Sequence, residues 1–532
     1  MATDDAPVPG GGDVPPATGD RDGDGDGDGT GEARFLAQLD GWLDQHRQAM
    51  IEAVQALCRI RSVQEEPAPG QPFGPGVAAA LEWVRQHAAA MGFRTRNIDG
   101  YAIDAEVGEG DEWIAVLGHV DVVPEGSGWT HPPYGAEIHE GKIYARGAVD
   151  DKGPTVAALY ALKAVADLAL AQGQRPRRRA RLIVGGNEES GFECVKYYFA
   201  REPQPTLGFS PDAMFPLVNA EKGIWTFRLS LELPREAATP APGREAGPDE
   251  GPGWTARLVR LEGGTRVNVV PEHAAAELVV AGPGAPSLDE LARRLEDGGG
   301  PGRARITARV EGDRLVVEAR GAAAHAMHPE KGINAIAGLL AALARALGPA
   351  LPRSSDLAFL AEAGRRTDGS GFDIAVADDV SGPLTVNLGV MRLAGDAVYA
   401  DCNVRYPVTA STRELLQRVA GALAGTGWRV ESREDMPPHH VPEDSEIVSQ
   451  LLDVYRQETG DGGARPLAIG GGTYARVLEK GVAFGPLFPG QRELAHEPDE
   501  YWGIDDLVRC ARIYARALYR LMFTPGARPS AS

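Results

Sequence analysis

The sequence predicts an α/β fold, an open sheet flanked by helices, with a second α+β unit inserted as a lid. Three observations carry that expectation. Short apolar runs, of which Trp113 to Leu117 is the clearest, end in histidine or acidic residues and alternate with longer segments of helical apolar spacing. At 532 residues, 43% of them apolar, the chain exceeds what one hydrophobic core usually supports and can fill more than one. From about residue 222 to 437 the texture changes, with strands and helices alternating around a Pro/Gly/Glu-rich run. The expected plan is a tail over 1–34, a main domain in two parts (35–221 and 438–532), and a lid over 222–437 with an insertion near 234–253.

The elements follow in chain order. Residues 1–34 hold nine acids against two arginines, run through Gly-Asp repeats and offer almost nothing to bury, so a disordered acidic tail is expected. The repeat from Asp22 to Asp28 lacks the closing glutamate and flanking helices of a calcium loop. Phe35, Leu36, Leu39, Leu43, Met50, Ile51, Val54, Leu57 and Ile60 recur at helical spacing, and a further helix over 77–91 stops at Gly92. Strands are expected over 101–107 and 113–120, the second more buried and closing on Gly118-His119-Val120-Asp121. A Gly/Pro-rich loop runs to Tyr134. Asp150 and Asp151 then stand just ahead of a long helix opened by Pro154, where an acid reads equally well as an N-cap or as a ligand. A strand over 181–186 leads to Asn187-Glu188-Glu189-Ser190-Gly191. Ser210-Pro211-Asp212-Ala213 follows, and far downstream His496 lies in a loop before a last helix over 504–522. Each acid or histidine alone is an ordinary surface residue, but in an open α/β sheet the strand ends are where ligands bind.

Composition excludes several roles. A net charge of −21 argues against nucleic acid, and the basic run from Arg175 to Arg181 reads as a solvated loop between a helix and a strand. Cys58, Cys194, Cys402 and Cys510 show no CxxC spacing, as for free thiols in a reducing compartment. No apolar stretch approaches a membrane span and no signal-peptide pattern opens the chain, so no membrane partner and a cytoplasmic location are expected.

Taken together, His119-x-Asp121, Gly147-x-x-Asp150-Asp151-Lys152-Gly153, Asn187-Glu188-Glu189-Ser190-Gly191, Ser210-Pro211-Asp212-Ala213 and His496 resemble, in order and spacing, the co-catalytic zinc exopeptidase superfamily. That group holds aminoacylases, desuccinylases, carboxypeptidases and carnosinase-like dipeptidases, and the nearest branch is similar to the PepV type of Xaa-His dipeptidase. The resemblance runs from about Phe35 to the final helix. It implies a central mixed sheet and a di-metal site in which Asp150 bridges two ions. His119 and Asp212 would complete one ion, Glu189 and His496 the other. Glu188 would be the general base, Asp121 the carboxylate that orients His119, and the Asp150–Asp151 peptide would be cis. Carboxylates and imidazoles with no cysteine suit Zn2+, with Mn2+ or Co2+ as alternatives. A bridging carboxylate holds two such ions roughly 3.5–4 Å apart, where they activate water and polarise a scissile carbonyl.

In the lid, Asn268, His325 and Arg405 match the dipeptidase pattern. The resemblance makes His325 an oxyanion donor and gives Asn268 and Arg405 substrate-positioning roles. Read from the residues alone, Asn268 equally closes a turn, Arg405 equally serves an internal ion pair, and His325 has His328 beside it. Gly470, Gly471, Gly472 and Thr473 form a glycine loop that lets backbone approach substrate, or simply a flexible turn. A metal-dependent dipeptidase acting on short peptides with a free amino end is therefore the leading expectation. An N-acyl amino acid amidohydrolase using the same metals is the alternative. A non-catalytic binding protein is disfavoured, because it has no need of Glu188 beside the metals. Many relatives dimerise through the lid, whereas the larger-lid branch implies a monomer.

Overall fold

The computed structural model describes residues 28–234, 253–297, 300 and 302–524. The tail up to residue 27 and most of the expected insertion near 234–253 lie outside the described residues. The first helix, Asp28–Gln45, begins earlier than the apolar periodicity from Phe35 suggests.

The α/β expectation is borne out. One sheet runs in the order Arg94–Ile98, Ala102–Val107, Arg179–Gly185, Trp113–His119, Leu207–Ser210, Gly481–Ala483, Val218–Glu221, His439–His440, with Leu467–Ile469 branching from Val218–Glu221. It is mixed. Trp113–His119 pairs parallel with both Arg179–Gly185 and Leu207–Ser210, while the outer strands join antiparallel. All seven residues of Trp113–His119 are buried, which is why its sequence is continuously apolar rather than alternating. The helices Lys152–Val165 and Ile504–Phe523 pack together over the sheet and contribute Leu159, Leu162, Leu507, Ile513 and Leu518 to its core. Gly118 is required where the first of these helices meets the strand: a Cβ there would fall 2.1 Å from Thr155 Oγ1.

The segment 152–170 is long and apolar enough to cross a membrane by length and composition, contrary to the expectation that no stretch would be. It is 72% buried inside this core, so its apolarity is spent on packing. The reading of Arg175 to Arg181 as a solvated loop is also corrected in part. Arg179–Gly185 is a central strand, Arg178 is buried against Glu112 and Glu446, and Arg181 is buried against Glu106 and Glu202. The run is basic because acids from distant elements neutralise it in place.

A second sheet of eight antiparallel strands spans the middle of the chain, from Gly223–Glu232 to Arg429–Met436, with Ala397–Tyr406 beside Gly223–Glu232 near one edge. Leu288–Leu295, Ala335–Leu347 and Ser354–Arg365 cover it. Two of these helices start on side-chain caps, Ser287 Oγ accepting from the Glu290 N–H and Asn334 Oδ1 from the Ala337 N–H. Its own apolar core runs from Trp225 to Trp428, apart from the first.

Candidate metal centre and active site

The parallel strands deliver their carboxyl ends to one place. His119 closes Trp113–His119, Glu188 and Glu189 follow Arg179–Gly185, and Asp212 follows Leu207–Ser210. Asp150 arrives from the turn ahead of Lys152–Val165, and His496 from the loop before the last helix. Two ligand groups result, His119 with Glu188 and Asp212, and Asp150 with Glu189 and His496. Asp150 stands between the two imidazoles. Its Oδ1 lies 3.1 Å from His119 Nε2 and its Oδ2 3.2 Å from His496 Nε2. His119 Nε2 is 3.6 Å from Asp212 Oδ2, and His496 Nε2 is 3.0 Å from Glu189 Oε2. The five residues expected as ligands are thus brought together, and Glu188 sits among them.

Whether these residues fit divalent cations is answered by the charge they bury. Burial and Asp212 push the Glu188 carboxyl well above the carboxylate range, burial and Asp150 push Glu189 up to about 7, and Asp212 is raised by burial and Asp150. Burial pulls the histidines down, but their acids outweigh it. Asp121, Asp150 and Asp212 lift His119 well above its ordinary value, and Asp150 with Glu189 takes His496 up to about 11. Burial opposes ionisation of Asp150 too, yet its two histidines hold it well below the usual range. A buried surplus of carboxylate oxygen answered only by two imidazoles is a cradle for cations. With oxygen and imidazole donors and no thiolate, it suits Zn2+, Mn2+ or Co2+.

The supporting groups are specific. His119 Nδ1 donates to the carbonyl of Asp121 at 3.0 Å, with the Asp121 carboxylate farther away at 3.5 Å. That carboxylate instead accepts the backbone N–H groups of Glu188 and Glu189, each at 3.1 Å, and so fixes the turn that aims both glutamates. Asp151 neither caps its helix by its side chain nor faces the ligand clusters. Its Oδ2 accepts the His119 N–H at 3.1 Å and the Thr155 hydroxyl at 3.0 Å. The Asp150–Asp151 peptide is cis, as the resemblance implies.

Sequence reasoning missed Arg146 and Glu500, both fully buried. Arg146 Nη1 donates to Glu500 Oε2 at 2.7 Å and Nη2 to the His496 carbonyl at 3.2 Å, while Glu500 Oε1 accepts the Val149 and Asp150 N–H groups at 3.0 and 3.3 Å. This pair ties the Asp150 turn to the His496 loop.

The lid residues also approach. The Ala326 N–H donates to the Asn268 carbonyl at 2.9 Å, and Val269 bridges His325 antiparallel, so the Asn268 and His325 segments run side by side. The His328 N–H donates to the His325 carbonyl at 2.9 Å, while its ring faces Glu330. The Met327 N–H donates to His325 Nδ1 at 3.1 Å, which leaves the neutral ring's proton on Nε2. Burial, Arg405 and His496 push His325 down to about 4. Arg405 is buried, donating through Nε to Asn403 and through Nη1 to the Gly470 carbonyl at 2.8 Å, and burial beside Arg476 lowers it to about 10. Its Nη2 makes no hydrogen bond among the described residues. Gly470 lets the lid come close, since a Cβ there would fall 2.4 Å from Met327 Cγ. Gly471 has more room, with no atom nearer than 3.9 Å to such a Cβ, while at Gly472 it would meet Arg476. The Thr473 hydroxyl is taken by Glu221 at 2.7 Å.

Comparison with known proteins adds to this geometry. The family described as Peptidase family M20/M25/M40 matches residues 115–520. A Bacillus subtilis (strain 168) protein described as "Putative dipeptidase YtjP" is 42% identical over 490 residues, spanning 89% of this chain and 97% of that one. A Staphylococcus aureus (strain USA300) protein with the same kind of description is 34% identical over 486 residues, spanning 90% and 98%. Among solved structures, human carnosine dipeptidase 1 aligns over 92% of this chain and 98% of its own with a TM-score of 0.51 at 15% identity. Aminoacylhistidine dipeptidase from Vibrio alginolyticus aligns over 90% and 97% with a TM-score of 0.51 at 18% identity, so both speak to the fold.

Proposed function

The chain belongs to peptidase family M20/M25/M40 and is a peptidase, and on that premise we propose that it is a metal-dependent dipeptidase cleaving short peptides with a free amino end. The observation that carries the proposal is the placement of Asp150 between His119 and His496, at 3.1 and 3.2 Å, with Glu188 beside them. In this reading His119, Asp150 and Asp212 hold one divalent cation and Asp150, Glu189 and His496 a second, Zn2+ by donor type. When bound, two such ions supply Lewis acidity at the scissile carbonyl.

The chain's own residues supply the rest. Glu188 takes the proton from the attacking water and returns it to the departing amine, a transfer for which a desolvated carboxyl is suited. His325, neutral with its proton on Nε2, donates to the carbonyl oxygen as negative charge develops there. The unengaged Nη2 of Arg405 meets the substrate's terminal carboxylate, with Asn268 and the Gly470–Gly472 backbone lining the same end. Asp121 aims Glu188 and Glu189 through their backbone rather than acting on substrate. The four buried, free cysteines support the reading of a reducing compartment.

Incubation with Zn2+, Mn2+ or Co2+ and two substrate panels, dipeptides and N-acyl amino acids, tests the proposal. Dipeptides with a free amino group should be cleaved, with little attack inside long polypeptides. Efficient hydrolysis of N-acetyl or N-succinyl amino acids with dipeptides ignored would move the enzyme to the amidohydrolase alternative.

A further inference from the structure

Away from the catalytic cluster, a third set of metal-ligating side chains converges: His131, Glu137 and His139. Glu137 and His139 lie two apart in the short strand Glu137–His139, so strand alternation puts them on one face. His131 reaches that face from the preceding loop. His139 Nε2 stands 3.1 Å from Glu137 Oε2, and His131 Nδ1 3.8 Å from the same oxygen. The two imidazoles are 4.6 Å apart between ring centres, and one ligand atom from each of the three residues lies within 4.8 Å of the others. An ion pair accounts for one histidine beside a glutamate. A second imidazole nitrogen 3.8 Å from the same carboxylate oxygen makes the group a convergent set of three ligand-type side chains rather than a pair.

The loop that brings His131 is itself built. The N–H groups of Thr130 and His131 donate to Asp499 Oδ1 at 2.8 and 3.1 Å, and the Thr130 hydroxyl donates to Asp499 Oδ2 at 2.8 Å. The His131 ring lies tilted 4.1 Å from that of Tyr144, which is on the neighbouring strand Lys142–Tyr144, and that strand pairs with Tyr501–Gly503. Asp499 sits between His496 and Glu500 in sequence. The side chains of His131, Glu137 and His139 are 25%, 47% and 49% exposed, so an ion can enter and water can fill its remaining position.

We propose that His131, Glu137 and His139 form a further divalent-cation site, a two-nitrogen, one-carboxylate site of the kind Zn2+ takes with a water as fourth ligand. It clips the 125–134 loop to the 137–144 hairpin, beside the segment that carries His496. The site stands independently of the peptidase chemistry. It is tested by stripping the protein of metal, dialysing it against Zn2+, removing excess and counting zinc per chain. Wild type should hold one ion more than His131→Ala, His139→Ala or Glu137→Gln, each checked for an unchanged circular dichroism spectrum. Cu2+ in place of Zn2+ should show an electron paramagnetic resonance pattern from two nitrogens on one ion, lost in His131→Ala and His139→Ala. Each catalytic ligand group has a single histidine and does not mimic it. Equal zinc counts in wild type and all three variants, or an extra ion that washes off wild type and variants alike as an adventitious ion only, would overturn the proposal.

Discussion

Glu188 and Glu189 are neighbours, and their backbone N–H groups donate to the two oxygens of the Asp121 carboxylate, yet their own carboxylates meet different surroundings. Glu189 faces His496 at 3.0 Å, whereas the Glu188 carboxylate makes no hydrogen bond among the described residues, though His119 and Asp212 lie within 4.8 Å of it. A group that must gain and lose a proton is best left unengaged, and one that holds a cation best faces its fellow ligand. Glu188→Gln should therefore lower kcat by about 10²–10⁴-fold while the protein keeps its catalytic metals. Near-wild-type turnover with the metals retained sinks the base assignment, and loss of an ion means the glutamates exchange roles. His325 is argued from its tautomer. Because the Met327 N–H occupies Nδ1, the donating proton is on Nε2, and a ring pushed down to about 4 stays neutral through the physiological range. His325→Ala should cost roughly 10²–10³-fold in kcat with metal content unchanged, a split that combined kinetics and metal analysis reads directly.

At the scale of elements, the acids and histidines were legible in the sequence for one physical reason. A parallel strand buried on both faces is apolar throughout, so the first polar residue beyond it marks the sheet edge where ligands collect, as at His119, Glu188 and Asp212. From the residues alone the Asp150 and Asp151 turn was legible as a site but not as a division of labour, and it was the resemblance that singled out Asp150 as the ligand. The fold bears out Asp150 facing both histidines and adds what the sequence did not show, Asp151 turned to the His119 N–H and Thr155. Arg146 and Glu500 were not legible, since no local pattern marks an ion pair spanning 354 residues of sequence. Lys142–Tyr144 already pairs with Tyr501–Gly503 beside the two segments, and the buried pair adds the side-chain bonds that reach the Asp150 N–H and the His496 carbonyl themselves. Glu500→Gln should leave Arg146 buried without a counter-charge, a change that costs about 3–5 kcal/mol of stability when a buried pair is broken. The slackened ligands should then bind metal about 10–100-fold more weakly, as is typical when a ligand's supporting bonds are lost. Thermal melting with a zinc titration checks both, and unchanged affinity would confine the pair to a purely structural role.

Across the whole molecule, the ligands come from both ends of the chain around the middle sheet, and the centre they form is short of positive charge in a protein of net charge −21. Without cations the fold compensates by holding protons. His496 is pushed from 6.5 up to about 11, and Glu189 from 4.5 up to about 7. Both shifts have the same sign. A group whose folded value is raised adds stability below its unfolded value and loses it as pH climbs through the folded one. Glu189 therefore withdraws stability from the metal-free protein between about pH 4.5 and 7, and His496 withdraws it above about 6.5. Cations act in the opposite sense, because they need the same ligands deprotonated, and binding to the folded state alone raises its stability. The gap in melting temperature between zinc-loaded and chelator-treated protein should thus widen from pH 5 to pH 8. Zinc titrations at pH 7, in buffers of different ionisation enthalpy, should show net proton release. A gap that stays flat with pH, with no protons released, would mean that His496 and Glu189 are not the groups the cations displace protons from, and would remove them from the proposed ligand set.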